Sequence, residues 1–337
     1  MDSPKAVVNP FYVSEYMVWR ITEQSRIMVE MRAAIAVKTE SGETMQIKVG
    51  CEFRYEATWA TPAVMQVQPR QDGEHRILHE AWKLMPPLEL HAYRDMYGNT
   101  CQRMVIPADE QVLSYDATVE VSGLTDEVAL DAAQLPVEEL PDDVLVYTLP
   151  SRFCLSDTLS DMAWQNFGAI EPGWARVQAI CDWVHSNIRF QYGTSNSLTT
   201  AADVCAAGVG VCRDFAHLAV TFCRALNIPA RYVFGYLPDI GVPPPDAPMD
   251  FCAWMEVYLA GRWWTFDPRN NEPRIGRVLI GRGRDALDVA MITTYGSPRL
   301  TKMTVWADEV LPTPTFNDKA GTAEAQAPLL RGDSQQG

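Results

Sequence analysis

The sequence predicts an α+β protein in which a β-sandwich precedes a domain of helices packed on an antiparallel sheet. Three observations carry this: strict apolar/polar alternation from Met45 to Tyr55, helical apolar stripes between 174 and 226, and strand texture that returns after Pro229. With 337 residues, 47% hydrophobic and 21% charged, the chain is long enough for two cores.

Residues 1–44 lack the alternation that follows and end in the polar run Thr39-Glu40-Ser41-Gly42-Glu43-Thr44. The stretch 14–37 reads as a helix and Met45 as an alternative chain start, so 1–44 is treated as an extension. Residues 45–55 alternate over eleven positions, as a half-buried strand does. Further strands are expected at 63–68, 101–106 and 112–121, with turns at Asp72-Gly73 and Tyr97-Gly98-Asn99. Together they make a β-sandwich over 45–145.

The texture changes at 141–150. Asp157 is expected to cap a helix to about 167, and a longer helix covers 174–188, where Val177, Ile180, Cys181, Val184 and Ile188 share one face. The stripe Phe215, Leu218, Ala219, Phe222, Ala225, Leu226 marks a central buried helix that stops at Asn227-Ile228-Pro229. Strands then follow at 230–237, 251–259 and 263–266, with a turn at Ala260-Gly261-Arg262 and a proline-marked loop at 243–248. This second domain spans 146–310, and the composition of 311–337 predicts a disordered tail.

The formal charge of −15 argues against a nucleic acid or an anionic membrane as partner. With no secretion-signal pattern and no apolar run near the ~18 to 20 residues of a membrane span, the chain reads as cytoplasmic. Eight cysteines form neither a CxxC pair nor a zinc-spaced cluster, so most are expected to be small buried apolar residues.

Cys212 is different. In Gly208-Val209-Gly210-Val211-Cys212-Arg213-Asp214-Phe215 it stands where a glycine-rich bend hands over to a helix, and there a thiolate is favoured. A cysteine at a helix start, a strand carrying a base and a neighbouring strand ending in a carboxylate is one way to build a Cys/His/Asp triad. Yet the histidines are His75, His79, His91, His185 and His217, and none lies downstream of that helix. His217, five residues after Cys212, projects about 140° around the helix from it and reads as a packed helix residue.

Gly210-Val211-Cys212-Arg213-Asp214-Phe215-Ala216-His217, Arg224-Ala225-Leu226-Asn227-Ile228-Pro229-Ala230-Arg231-Tyr232, and Ala253-Trp254-Met255-Glu256-Val257-Tyr258 with Trp264-Thr265-Phe266-Asp267-Pro268 resemble the bacterial transglutaminase-like cysteine protease family. The resemblance runs from Met45 to about 310, with Leu149-Pro150-Ser151-Arg152-Phe153-Cys154 opening the catalytic region. It implies a papain-like transglutaminase core over 146–310 and no metal or organic cofactor. It also implies an activity, in which a cysteine is acylated by a peptide or glutaminyl carbonyl and passes the acyl group to water or an amine. Cys212 matches the nucleophile and Asp267 the orienting carboxylate. The family's histidine falls at Cys252, in Met249-Asp250-Phe251-Cys252-Ala253-Trp254. Imidazole shuttles protons near neutral pH, whereas a thiol titrates near 8.5 and has no second nitrogen for Asp267 to orient.

Three functions follow as expectations: a Cys212-dependent hydrolase or acyltransferase acting on peptide or isopeptide bonds, a relative that binds a peptide or protein without turnover, and a Cys212/Cys252 redox pair. Arg213, Asp214 and Trp254 are the candidate substrate-binding residues. Arg213 either holds the thiolate or pairs with a carboxylate, and Asp214 suits the positive helix end. Trp254, Trp263 and Trp264 either line a groove or fill a core. Arg274, Arg277, Arg282 and Arg284, four arginines within eleven residues, form either a carboxylate site or a salt-bridged loop.

Overall fold

The computed structural model describes residues 44–71, 75–243, 245 and 247–311. The 14–37 helix, the Asp72-Gly73 turn and the tail from 312 onward lie outside the described residues.

The chain opens with strands β1 (Thr44–Ala57), β2 (Thr61–Met65), β3 (Arg76–Met85), β4 (His91–Arg94), β5 (Thr100–Ile106) and β6 (Asp109–Ser122). The predicted alternation appears as burial: Ile47, Val49, Cys51, Phe53 and Tyr55 of β1 point into one core while Lys48 and Arg54 face water. β3 and β4 escape the periodicity argument because their residues are half-buried or exposed throughout, and in β3 a register shift between Ile77 and His79 breaks the alternation of Ile77 with Trp82 and Leu84, which pack partly against the core.

The second region supplies helices α1 (Ser160–Phe167) and α2 (Trp174–Asn187), strand β7 (Arg189–Phe190), helix α3 (Ala201–Ala207), strand β8 (Val209–Gly210) and helix α4 (Cys212–Ala225). It continues with β9 (Ala230–Tyr236), β10 (Cys252–Leu259), β11 (Arg262–Phe266), β12 (Val278–Gly283), β13 (Ile292–Thr294) and β14 (Arg299–Glu309). α1 begins two residues later than a cap at Asp157 would place it, and Asp157 sits in the preceding turn instead. α3 is set by a reciprocal cap: Asp203 N–H donates to Thr200 Oγ1 at 3.3 Å and Thr200 N–H to Asp203 Oδ2 at 2.9 Å.

Among the described strands, pairing gives antiparallel sheets in the orders β14-β1-β6-β3, β13-β2-β5-β4 and β11-β10-β9-β12, with a short parallel pair β7-β8. β14 runs along β1 from Ile47–Glu309 to Glu56–Arg299, and β13 pairs with β2. The last two strands of the 146–310 segment therefore join the N-terminal sheets, a long-range pairing that local texture cannot reveal.

The β11-β10-β9-β12 sheet joins the two regions. Phe234, Tyr236 and Phe251 pack into the sandwich core, while Met255, Val257 and Leu259 pack on the helices. β10 is buried along its whole length, as a strand covered on both faces must be. α4 is the central helix, buried from Asp214 to Arg224.

Arg224 ties these layers together. Its guanidinium donates to the carbonyls of Ala230 at 2.9 Å, Arg284 at 2.6 Å and Leu149 at 3.2 Å, and to Ser151 Oγ at 3.0 Å. Arg224→Met keeps much of the volume but orphans these buried acceptors. Urea denaturation is expected to show a loss of about 2–3 kcal/mol relative to the natural chain.

Candidate active site

Gly210 lets the chain turn from β8 into α4, because a Cβ there would stand 2.8 Å from the Asp214 Cβ. Val211 N–H donates to Asp214 Oδ2 at 2.9 Å, which closes the first turn and leaves Cys212 as the first helical residue. Its sulfur is thus beside free N–H groups at the positive end of a helix of fourteen residues.

Cys212 lines a cleft of about 470 Å³. Phe190, Tyr192, Asp250, Cys252, Arg269 and Asn270 share its wall, and Pro243, Pro245 and Pro248 form part of the lining. Cys252 opens β10 opposite Gly235 of β9, where any Cβ would meet the Trp254 ring at 2.6 Å. Cys212 packs against the cluster that Cys252 and Trp254 form with Val233, Leu237 and Leu279.

The Cys252 thiol donates to the Ala253 carbonyl at 3.8 Å. As a hydrogen-bond donor to a Cys212 thiolate, this neighbouring thiol is the largest influence on Cys212 and pulls its pKa down. Burial opposes this, while Arg269 and the Ala253 N–H add to it, so Cys212 sits below the ordinary cysteine range. The same interaction, with burial and the charges of Cys212 and Asp267, pushes Cys252 well above it. In its protonated form the Cys212 thiol donates to the Phe251 carbonyl at 3.8 Å.

Asp267 is buried behind this pair. Burial pushes its carboxyl up, but Arg277 and Asn270 outweigh burial and hold it ionised. Oδ1 accepts the N–H groups of Arg269 at 3.1 Å and Asn270 at 2.9 Å, and Oδ2 accepts from Asn270 Nδ2 at 2.8 Å and Arg277 at 2.9 Å. Arg277 also binds both oxygens of Asp126 at 2.9 Å and lies over the Trp254 ring at 4.9 Å. The carboxylate therefore orients the 269–270 backbone and neutralises a buried arginine.

Arg213, Asp214 and Trp254 do not line the cleft. Arg213 pairs with buried Asp214 at 2.8 Å and donates to the Asn196 carbonyl at 2.9 Å. Trp254 is 2% exposed and packs with Val233, Leu237 and Leu279. Trp263 and Trp264 lie beneath Arg231 and Arg262, 4.0 and 3.7 Å away. The arginine cluster is salt-bridged, and Arg282 lies on a strand: it holds Glu256 at 2.8 Å, Arg284 holds Asp288 at 2.9 Å and Arg274 holds Asp239 at 3.4 Å.

His217 is fully buried, stacked between Phe153 and Tyr232. Its Nε2 accepts the Ala286 N–H at 3.1 Å, and burial, aided by Arg213, pushes its pKa down to about 3. It is a neutral core residue. Among the described residues no imidazole lines the cleft.

Arg269 is the cleft residue that sequence reasoning passed over. The signal was local: it stands two residues after Asp267, inside the turn that the carboxylate organises.

The Transglutaminase-like superfamily model matches residues 164–268, a span that contains Cys212, Cys252 and Asp267. A solved structure described as a "Putative Cysteine Protease from Cytophaga hutchinsonii" is 32% identical, with a TM-score of 0.73 over 80% of this chain and 92% of that one. An uncharacterized protein of Mycobacterium leprae is 26% identical over 247 residues, 69% of this chain and 86% of the relative. One of Mycobacterium bovis is 27% identical over 241 residues, 66% of this chain and 77% of the relative. The chain belongs to the transglutaminase-like superfamily, with its mixed α+β fold and a sheet-rich N-terminal region. No helix among the described residues is long and apolar enough to cross a membrane.

The sulfur pair makes a pH-resolved prediction. Alkylation of Cys212 by iodoacetamide should rise with pH and level off below the range of an ordinary thiol. Cys252→Ala removes the S–H donor, so the profile moves to higher pH and the neutral-pH rate falls about tenfold or more. Cys252→Ser, which still donates, should stay close to the natural protein.

Proposed function

We propose that the chain is a cysteine-dependent acyl-transfer catalyst, acting on peptide or isopeptide amides through a thioester at Cys212. One observation carries this reading: a sulfur at a helix N-terminus, in a cleft, held below its ordinary pKa by a second thiol, a cation and a backbone N–H.

The steps balance without a cofactor. The Cys212 thiolate bonds to the amide carbon, and the C–N bond breaks as the Cys252 thiol gives its proton to the departing amine. Water or an amine then attacks the thioester and gives its proton to the Cys252 thiolate, and the S–C bond breaks to restore the Cys212 thiolate. A thiol pushed well above its ordinary pKa matches an amine leaving group, though it transfers protons less readily than imidazole near neutral pH. The eight free cysteines of the described chain suit a reducing, cytoplasmic setting.

The two cysteines packed together in the cleft wall favour a second reading, in which the pair is redox-active. Hydrogen peroxide would take two electrons from the two thiols, form a Cys212–Cys252 disulfide and leave as two waters. Peptide mapping after mild peroxide treatment is expected to show that crosslink together with loss of alkylation at Cys212. Oxidation that leaves the two peptides separate would end this reading.

For the acyl-transfer reading, the natural chain should cleave or transamidate amides from a peptide library, and Cys212→Ala should abolish this. Cys252→His supplies an imidazole at the same place and is expected to raise kcat/KM about 100-fold. Turnover in Cys252→His alone, with none in the natural chain, would assign the cleft to binding.

A further inference from the structure

Arg269 stands in the wall of the cleft with Cys212 and Cys252. Its backbone is fixed at both ends, by the N–H donated to Asp267 at 3.1 Å and by the carbonyl that accepts from His185 Nδ1 at 2.8 Å. Its guanidinium lies over the Phe190 ring at 4.2 Å, a cation–π contact that holds the group's position without using its N–H donors. Among the described residues that guanidinium enters no salt bridge and donates no hydrogen bond.

Its arginine neighbours differ. Arg213, Arg274, Arg277, Arg282 and Arg284 are each committed to a carboxylate. Among the described residues three acids line the cleft: Asp239 pairs with Arg274 at 3.4 Å, Asp250 accepts the Phe251 N–H at 2.7 Å, and neither they nor Glu272 close onto Arg269. A fork of donors is therefore left, pre-positioned by an aromatic ring, beside a nucleophilic sulfur. Guanidinium forks match carboxylates in a bidentate geometry, and ammonium groups do not.

We propose that Arg269 is a carboxylate-recognition residue, so that the cleft takes acyl substrates carrying a free carboxylate next to the carbonyl that Cys212 attacks. This rests on the thiolate reading of Cys212 above. The carboxylate is supplied either by a chain terminus or by an acidic side chain beside the scissile amide.

The test uses the full chain and two alkylating agents of similar size, anionic iodoacetate and neutral iodoacetamide. Both react with the same thiolate, so a change in Cys212 ionisation cancels in the ratio of their rates. In the natural protein that ratio should exceed the free-cysteine value, and Arg269→Gln should lower it by about tenfold, the worth of one charge-assisted hydrogen bond. Arg269→Lys, which keeps the charge but not the fork, should fall between.

N-acetyldiglycine and N-acetylglutamic acid α-amide should protect Cys212 from iodoacetamide in the natural chain and not in Arg269→Gln. Stronger protection by the first assigns a terminal carboxylate, and by the second a side chain. A rate ratio unmoved by Arg269→Gln, or protection by neither compound, overturns the proposal. A Cys212 that reacts with both reagents no faster than a free thiol defeats the acyl-transfer reading itself, and the proposal with it.

Discussion

The proposed chemistry depends on the opposite pKa shifts of two neighbouring thiols, Cys212 drawn down and Cys252 pushed up. Two thiols in a partly buried cleft would each resist ionisation, since burial disfavours a thiolate. Arg269 favours a thiolate at either sulfur, but the helix N-terminus and the Ala253 N–H favour it at Cys212 and the Asp267 charge opposes it at Cys252, so Cys212 is pulled below its ordinary pKa and Cys252 pushed above it. On the proposed acyl-transfer reading, one sulfur serves as the nucleophile and the other as the acid. The asymmetry comes from placement: one cysteine opens a helix and the other opens a strand.

Asp267 shows how a fold absorbs a changed residue. A buried carboxylate behind a histidine would accept its N–H; behind a cysteine it needs other partners, and it has four donors. Arg277 balances its charge and in turn engages Asp126 from the segment that follows β6. The carboxylate that orients a base in the family pattern here fixes the turn that presents Arg269. Among the described residues the cleft holds two sulfurs and a cation and no imidazole.

Much of this was legible in the chain. The glycine-rich bend before Cys212 announced the helix start, and Gly210 is indeed the residue that the close approach of Asp214 requires. Alternation gave β1, β5 and β6, and the helical stripe gave α4 with its buried face. What escaped did so for physical reasons. β4 is exposed throughout, the alternation of β3 is broken by a register shift, and β12 was hidden by Arg282, whose charge is neutralised by Glu256, 26 positions away in sequence. β14 depends on pairing across some 250 positions, which no local pattern encodes. Of the two readings that the sequence left for Arg213, holding the thiolate or pairing with a carboxylate, the structure shows the second, with Asp214. The first falls to Arg269, far away in sequence, because the Asp267 turn returns the chain to the cleft.

The most direct test is the ultraviolet thiolate absorbance of the folded protein titrated with pH, taken as the difference between the natural chain and Cys212→Ser. The account predicts one thiolate forming below the ordinary cysteine range while Cys252 remains protonated. A difference spectrum that develops only at or above that range would mean that Cys212 is a buried, unactivated thiol, and would contradict the account.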